Sequence, residues 1–251
     1  MNERVPILSR DKFLAQFGGD YRPGQHATFL GPTGRGKTYL AHQMLREVIS
    51  PRHRCVLLSA KPPGRDTNMA VVTRGLNLKL VREWPPPYSI RDRGRNGWVL
   101  EPEQGMRDID ADNDNLTKQF KKAMISNYGN PPSKPVITVV DEAHFLSNDL
   151  HLKKQHEAPL MRGQPVNACW TIAQRGRYLS YLAYSAPEHV ILFHDPDQSN
   201  QARYSELGGV DPAMLRALTA TLKTQRLPQG NSVSEAIYIK RSGPGICIIE
   251  P

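Results

Sequence analysis

The feature that most constrains this chain is a short glycine-rich stretch, GPTGRGKT, at residues 31–38. It fits the pattern G-x-x-x-x-G-K-[S/T], which is informative only where a strand precedes it and a helix follows it. The apolar run ATFL comes directly before it, and apolar residues at helical spacing come directly after it. The sequence therefore predicts a phosphate-binding loop between a buried strand and a helix.

The residue types of this loop suit the triphosphate of ATP. Its glycines allow backbone conformations that a side chain forbids, so that main-chain amides turn inward around phosphate oxygens at the positive end of a helix. Lys37 is predicted to reach the β- and γ-phosphates, and Thr38 to place its hydroxyl on Mg²⁺. The residues predicted to contact the nucleotide are Gly31, Pro32, Thr33, Gly34, Arg35, Gly36, Lys37, Thr38 and Tyr39.

A second motif supplies carboxylates. The β-branched run VITVV, typical of a strand buried on both faces, ends in Asp141 and Glu142. Asp141 is predicted to hold Mg²⁺ together with Thr38, and Glu142 to activate the attacking water. The alternative is that Asp141 caps a helix. A pair of acids favours ATP hydrolysis over nucleotide sensing alone.

A third apolar run, CWTIA, ends in Gln174 and Arg175. A polar amide at the end of a strand beside the Asp141 strand is placed to sense the γ-phosphate or to orient water. The alternative is an ordinary glutamine in a loop. Gln174 therefore joins Lys37 and Glu142 as a predicted catalytic residue.

The order of elements predicts an α/β fold. Apolar runs predict strands in HATFL, CVLLSA, LKLV, GWVLE, VITVV, CWTIA and HVILF, and helices are predicted over about 37–49, 115–128, 150–161, 198–206 and 212–222. This alternation indicates a RecA-like (ASCE) P-loop NTPase with a mostly parallel sheet flanked by helices. Two apolar runs around a Gly/Pro turn at 241–245 predict a C-terminal β-hairpin, preceded by a loop at 227–231.

The predicted domain organisation is simple. Residues 1–25 are predicted to form an N-terminal lead-in, and residues 26–251 a single P-loop ATPase domain. Stretches rich in proline, glycine and charge predict loop insertions at about 62–77 and 84–114.

The amino-acid composition indicates the chemical class of the partner and the location of the chain. The chain carries 33 Lys+Arg against 24 Asp+Glu, a formal net charge of +9, and this excess favours a polyanion such as DNA or RNA. The arginine-rich residues 91–95 are candidate phosphate contacts, and the alternative, which this segment taken alone favours, is a solvated run of charges. No apolar run approaches the ~20 residues of a membrane-spanning helix, so no membrane insertion is expected. The scattered cysteines Cys55, Cys169 and Cys247 predict reduced, buried thiols and a cytoplasmic location, in the host cytoplasm if the chain is viral.

Taken in order, these motifs resemble the HerA/FtsK superfamily of P-loop motor ATPases, which pump DNA in chromosome segregation, conjugation and virus packaging. The resemblance implies an ATPase that translocates double-stranded DNA through a homo-oligomeric ring such as a hexamer, with ATP between subunits. The compact chain looks like a viral packaging or mobile-element motor, which implies a portal, capsid or transfer-apparatus protein as a further partner. Beyond the motifs above, the segments that carry the resemblance are LLSAKPPGRDT, REWPPP, TIAQRGRYLS and LFHDPDQSNQARYSELGG.

The resemblance also implies a basic residue delivered in trans to the γ-phosphate. Arg162 is the candidate and Arg175 the second choice, although relatives tend to carry a further arginine where this chain has Gln164. Two other functions remain open. One is an ATPase that drives assembly or secretion of a protein partner, as in zonular occludens toxin-like proteins, which usually carry a membrane helix. The other is a nucleotide-binding module or small-molecule kinase, which generally lacks an acid at the position of Glu142.

Overall fold

The structure, a computed structural model of the 251-residue chain, describes residues 5–61, 73–87, 89–105, 107–130, 133–162, 166–207, 210–226, 232–243 and 245–251. The helices that we label are α1 (Arg10–Asp20), α2 (Lys37–Val48), α3 (Ile109–Tyr128), α4 (Ala143–Asn148), α5 (Lys153–Arg162), α6 (Leu182–Ser185), α7 (Gln198–Gln201) and α8 (Pro212–Thr221). The strands are β1 (Ile7–Leu8), β2 (Ala27–Leu30), β3 (Arg54–Leu58), β4 (Leu78–Val81), β5 (Gly97–Leu100), β6 (Val136–Val140), β7 (Ala168–Ala173), β8 (His189–Phe193), β9 (Thr224–Arg226), β10 (Ser232–Ser234), β11 (Ala236–Lys240) and β12 (Ile246–Ile249). Short 3-10 helices lie at Ile90–Gly94, Gly176–Tyr178 and Ala202–Glu206.

The chain forms two compact units. The first unit holds the described residues of the stretches 1–21, 26–47 and 172–251, and the second unit holds those of 22–25 and 48–171. Strand β7 contributes residues 168–171 to the second unit and residues 172–173 to the first. The division into a lead-in over 1–25 and one ATPase domain over 26–251 stays a prediction.

In the first unit the strand order is β1-β12-β11-β8-β2. Strands β2 and β8 are parallel, whereas β11 runs antiparallel to both β8 and β12. The β11–β12 pair confirms the predicted C-terminal hairpin. The end of β7 continues the order, since the N–H of Gly31, directly after β2, donates to the carbonyl of Ala173 at 3.4 Å. Strands β9 and β10 form a separate antiparallel pair.

Helix α1 belongs to the core of the first unit. Its buried residues Phe13 and Phe17 pack on the β8–β11 surface. The ring of Phe13 lies 4.9 Å from that of Tyr238, and the ring of Phe17 lies 5.1 Å from that of His189, each edge to face. Residues of the predicted lead-in therefore supply part of this core.

In the second unit the order is β7-β6-β3-β5-β4, and every neighbouring pair among these strands is parallel. All residues of β6 are buried, as its β-branched composition predicted. The pairing of β5 with β3 requires glycine at Gly97, opposite Cys55, because φ is +143° and a Cβ there would lie 1.9 Å from the carbonyl oxygen of Cys55. Cys55, Cys169 and Cys247 are free and buried, as predicted.

Each predicted strand is present, but three helix boundaries were wrong. Helix α3 begins six residues before the predicted 115, because the carboxylate of Asp108 accepts the N–H groups of Asp110 and Ala111 and caps an earlier start. The predicted helix over 150–161 corresponds to α5, which begins only at Lys153, since His151 just before it adopts φ 53°. Helix α4 ends at Asn148, before the predicted start. The predicted helix over 198–206 is α7 followed by a 3-10 turn.

Two predicted loops fall partly or wholly outside the described residues: 62–72 of the first insertion, and 227–231. Among the described residues, no helix is both long enough and apolar enough to cross a membrane.

Candidate functional site

The predicted phosphate-binding loop lies in the first unit, between β2 and α2. Gly31, Gly34 and Gly36 have φ values of +149°, +79° and +88°, in the region that glycine adopts without strain. At Gly31 the constraint is also spatial, because a Cβ would lie 2.6 Å from the Cβ of Phe193. Since α2 begins at Lys37, the loop stands at the positive end of a helix. A glycine-rich loop at the N-terminus of a helix suits an anion.

The lysine of the loop is folded across it. The Lys37 side chain is buried, with the residue 6% exposed, and its Nζ donates to the carbonyl of Pro32 at 2.8 Å. Thr38 follows it, half-buried, on the first turn of α2. The guanidinium of Arg35 donates to the hydroxyl of Thr224 on β9. Tyr39 is exposed. The ammonium therefore lies over the loop, where the oxygens of a bound phosphate would replace the Pro32 carbonyl as its acceptors.

Gln174 contacts the same loop. It directly follows β7, and its Oε1 accepts a hydrogen bond from Oγ1 of Thr33 at 2.8 Å. The sequence argument predicted Gln174 near the loop, as a sensor of the γ-phosphate, but named no contact with Thr33. Within the first unit the structure therefore brings together the phosphate-binding loop and the predicted sensor.

The predicted acids lie in the second unit, directly after β6. Glu142 adopts φ 59° and ψ 51°, a left-handed conformation that costs a non-glycine residue about 1 kcal/mol. Its N–H donates to Oδ1 of Asp141 at 3.1 Å, and its carbonyl accepts the N–H of Phe145 at the start of α4. The N-cap position of α4 is Glu142, and no side chain caps the helix. Such backbone outliers cluster at functional sites.

Asp141 has a basic neighbour that the sequence argument did not assign a role. The Nζ of Lys61 lies 4.0 Å from Oδ2 of Asp141, whose side chain is 10% exposed. Strands β3 and β6 are parallel with Leu58 opposite Val140, so the segments that follow them leave the sheet side by side. The signal in the sequence was a lysine shortly after a buried strand, LLSAK. The pair orients the Asp141 carboxylate.

The two candidates for a trans-acting arginine are both exposed. Arg162 is the last residue of α5 in the second unit, where a cation also interacts favourably with the helix dipole. Arg175 follows Gln174 in the first unit. Neither role is tested by one chain.

Solved structures share this arrangement of elements. The DNA-packaging ATPase B204 from Sulfolobus turreted icosahedral virus aligns with a TM-score of 0.57 at 13% identity, over 92% of this chain and 99% of that one. The genome-packaging NTPase B204 from Sulfolobus turreted icosahedral virus 2, in complex with ATP-gammaS, also gives 0.57, at 14% identity over 92% and 99%. The chain has the fold of the viral packaging ATPases. EssC (ATPases 2 and 3) from Geobacillus thermodenitrificans gives 0.50 at 12% identity, over 90% of this chain and 39% of that one.

The packaging-ATPase fold confirms the fold class predicted from the sequence, a P-loop α/β protein with a mostly parallel sheet and a C-terminal hairpin. At these identities the similarity to the solved structures holds at the level of the fold. The chain matches no protein-family model, and no curated protein is similar to it in sequence.

Proposed function

We propose that this chain is an ATP-hydrolysing motor that translocates double-stranded DNA, as in viral genome packaging or mobile-element transfer. The observation that carries the proposal is the phosphate-binding loop, with its left-handed glycines, the buried Lys37 across it and Gln174 bonded to Thr33. Two neighbours of the same fold are described as a DNA-packaging ATPase and a genome-packaging NTPase, the second in complex with a nucleotide analogue. The net charge of +9 suits a polyanionic substrate.

In this proposal the loop grips ATP by its phosphates. Main-chain N–H groups of residues 33–38 surround the β-phosphate, and the Lys37 ammonium exchanges the Pro32 carbonyl for β- and γ-phosphate oxygens. Tyr39, exposed on the first turn of α2, lies at the end of the nucleotide contact. Because Lys37 is held over the loop before ATP arrives, little side-chain entropy is lost on binding.

The donor set of the proposed metal site fits Mg²⁺. The hydroxyl of Thr38 and the carboxylate of Asp141 are hard oxygen ligands, and Mg²⁺ takes only one or two protein ligands when phosphates and water supply the rest. This agrees with the finding that the described residues contain no cluster of three or more metal-ligating side chains. Mg²⁺ supplies charge neutralisation on the β- and γ-phosphates when bound. Lys61 acts as a positioning residue for Asp141.

Hydrolysis follows from two further side chains. The Glu142 carboxylate accepts a proton from the attacking water, whose oxygen forms a bond to the γ-phosphorus as the bridging P–O bond to ADP breaks. Gln174 senses whether the γ-phosphate is present, and the resulting change is transmitted to the segment that directly follows Gln174 in the chain. Arg162 from a neighbouring subunit stabilises the charge on the transferred group, with Arg175 as the second candidate. The subunits assemble as a ring around the duplex.

Triplex displacement tests the motor function directly. A linear duplex carrying a fluorescent third strand is incubated with the protein and ATP, and a motor that moves along the duplex strips the third strand off. We expect ATP-dependent displacement by the wild type, and none with a non-hydrolysable analogue or with Lys37→Ala. ATP hydrolysis without displacement, and without any response to DNA, would favour an ATPase that acts on a protein partner.

A further inference from the structure

The segment at residues 175–181, RGRYLSY, follows Gln174 directly and is anchored at its backbone. Gly176 is buried, and a Cβ there would lie 1.9 Å from the hydroxyl oxygen of Tyr184, so only glycine fits. Leu179 is buried and its carbonyl accepts a hydrogen bond from the guanidinium of Arg203 at 2.9 Å. The backbone of the 175–181 segment is therefore fixed to the first unit.

Four side chains of the segment face solvent. Arg175 and Arg177 are exposed, and Tyr178 and Tyr181 are 42% and 59% exposed. The Arg177 guanidinium lies 4.6 Å from the centroid of the Tyr178 ring and donates to its hydroxyl at 2.6 Å. The N–H of Arg177 donates to Oδ1 of Asn200 at 3.1 Å, which fixes where this pair emerges. The Arg177–Tyr178 pair is thus preorganised, and Arg175 and Tyr181 are exposed in the same short segment.

The chemistry of this surface suits a phosphate backbone. The segment contains no acidic residue. Planar guanidinium groups donate paired hydrogen bonds to phosphate oxygens, and tyrosine hydroxyls contact phosphate and sugar. The acid that interacts with Arg177 is Asp197, whose pKa is lowered mainly by hydrogen bonds from Ser199 and further by this arginine. A guanidinium carries five N–H donors, and Arg177 uses one of them on the Tyr178 hydroxyl, so it keeps donors for a ligand.

The arginine-rich residues 91–95, candidate phosphate contacts in the sequence, are partly engaged within the protein. Asp92 forms an ion pair with Lys79 at 2.8 Å, and the guanidinium of Arg95 donates to Oδ1 of Asn77 at 3.0 Å. An acid within the run also lowers its net positive charge. The 175–181 segment is the better phosphate surface of the two.

The same segment is joined to the phosphate-binding loop by one residue, since Gln174 bonds to Thr33 at 2.8 Å. We propose that the 175–181 segment contacts the phosphate backbone of double-stranded DNA, and that Gln174 makes this contact depend on the bound nucleotide. The inference rests on the proposed function and names the surface by which the motor grips its substrate. Contacts of this kind are independent of base sequence and strongly dependent on salt.

The test measures DNA affinity, so that a role of Arg175 in hydrolysis does not affect the result. Fluorescence anisotropy follows a labelled duplex in the presence of ATP-gammaS across a range of salt concentrations. In Arg175→Ala/Arg177→Ala we expect at least about a tenfold loss of affinity, and a salt slope smaller by about 1.8, roughly 0.9 for each lost phosphate contact. The matched control, Arg46→Ala/Arg216→Ala, removes two exposed arginines from α2 and α8 of the same unit and should bind within about twofold of the wild type.

The outcomes separate two failures. If the wild type binds no DNA, the proposed function fails and the inference falls with it. If the wild type binds and both double variants bind equally, only the inference is overturned. A fluorescent ATP analogue checks that each variant is folded. Should the double variant not fold, Arg177→Gln serves instead, with an expected slope change of about 0.9, and an unchanged slope overturns the inference.

The coupling step has its own measurement. Wild-type affinity for duplex is compared in ATP-gammaS and in ADP, and again for Gln174→Ala. We expect the wild type to distinguish the two nucleotides and Gln174→Ala to bind duplex equally in both. A Gln174→Ala protein that keeps the wild-type difference would overturn the coupling.

Discussion

Glu142 is the residue whose backbone departs most clearly from what its side chain favours. A glutamate at φ 59° and ψ 51° costs stability that a glycine or asparagine would save, and it lies where β6 ends and α4 begins. The neighbouring Asp141 bonds to its N–H and lies near Lys61. The strain is explained if a carboxylate at this position is required for turnover.

Replacing Glu142 with Gln tests this role at nearly constant shape. The amide cannot accept the proton of the attacking water, so we expect phosphate release to fall about 100-fold or more while ATP is still bound. Phosphate release and binding of a fluorescent ATP analogue are measured on the same preparation. Turnover by Glu142→Gln within about threefold of the wild type would remove Glu142 from the mechanism.

The sequence identified Lys37, Thr38, Asp141 and Glu142 as site candidates because each belongs to a short sequence motif with a defined chemical role. It did not predict the contact of Thr33 with Gln174 or that of Lys61 with Asp141. Those pairs are far apart in the chain and meet only through sheet order, for which short patterns carry no signal. The roles of the candidates themselves stay predictions until variants are measured.

Among the elements, the packing of α1 on β8 and β11 buries a histidine. His189 is fully buried, its Nδ1 shares a hydrogen bond with the Tyr238 hydroxyl at 2.8 Å, and the Phe17 ring meets it edge to face. Burial lowers the pKa of His189 from 6.5 to about 4, with a smaller contribution from Lys240 in the same direction and an opposing one from Asp20. The packing of α1 on β8 and β11 is therefore expected to lose stability at acidic pH.

The direction of the pH effect follows from that lowered pKa. Between about pH 6.5 and 4 the unfolded chain binds a proton at His189 that the folded chain does not, so the free energy of unfolding falls as pH falls. We expect this histidine alone to remove about 2 kcal/mol between pH 7.5 and 5. Denaturant unfolding at both pH values measures the loss, and His189→Gln should lose less over the same interval. Equal pH dependence in both proteins would contradict the assignment.

Strands were predictable and helix boundaries less so, for physical reasons. Runs such as VITVV are β-branched and wholly buried, so that composition and environment agree. Helix α1 gave a weak signal because Gly18 and Gly19 near its end lower helix propensity, and its stability comes from contacts with distant strands. The late start of α5 follows from one left-handed residue, His151, which no local sequence pattern predicted.

At the scale of the whole molecule, the proposed ring means that the residues of one ATP site can come from two subunits. Arg162 and Lys37 belong to different compact units of the chain, and Arg162 is exposed. If Arg162 acts in trans, the ATP-binding half of a site and its arginine come from different subunits. A subunit that lacks Lys37 and a subunit that lacks Arg162 can then compensate for each other in a mixed ring.

Subunit mixing tests this arrangement. Lys37→Ala and Arg162→Ala should each be nearly inactive alone, whereas a mixture should regain part of the wild-type ATPase rate. The recovered sites pair the intact Lys37 of one variant with the intact Arg162 of the other. A mixture no more active than its components would argue against Arg162, and the same experiment with Arg175→Ala would test the second candidate.

The central claim is that ATP bound at the loop of Lys37 is hydrolysed to drive movement of double-stranded DNA. The most direct measurement is the steady-state ATPase rate with and without linear duplex, for the wild type and for Lys37→Ala. The account predicts a several-fold increase by duplex in the wild type and no measurable hydrolysis by Lys37→Ala in either condition. A wild-type rate that is indifferent to DNA, or a Lys37→Ala protein that still hydrolyses ATP, would contradict it.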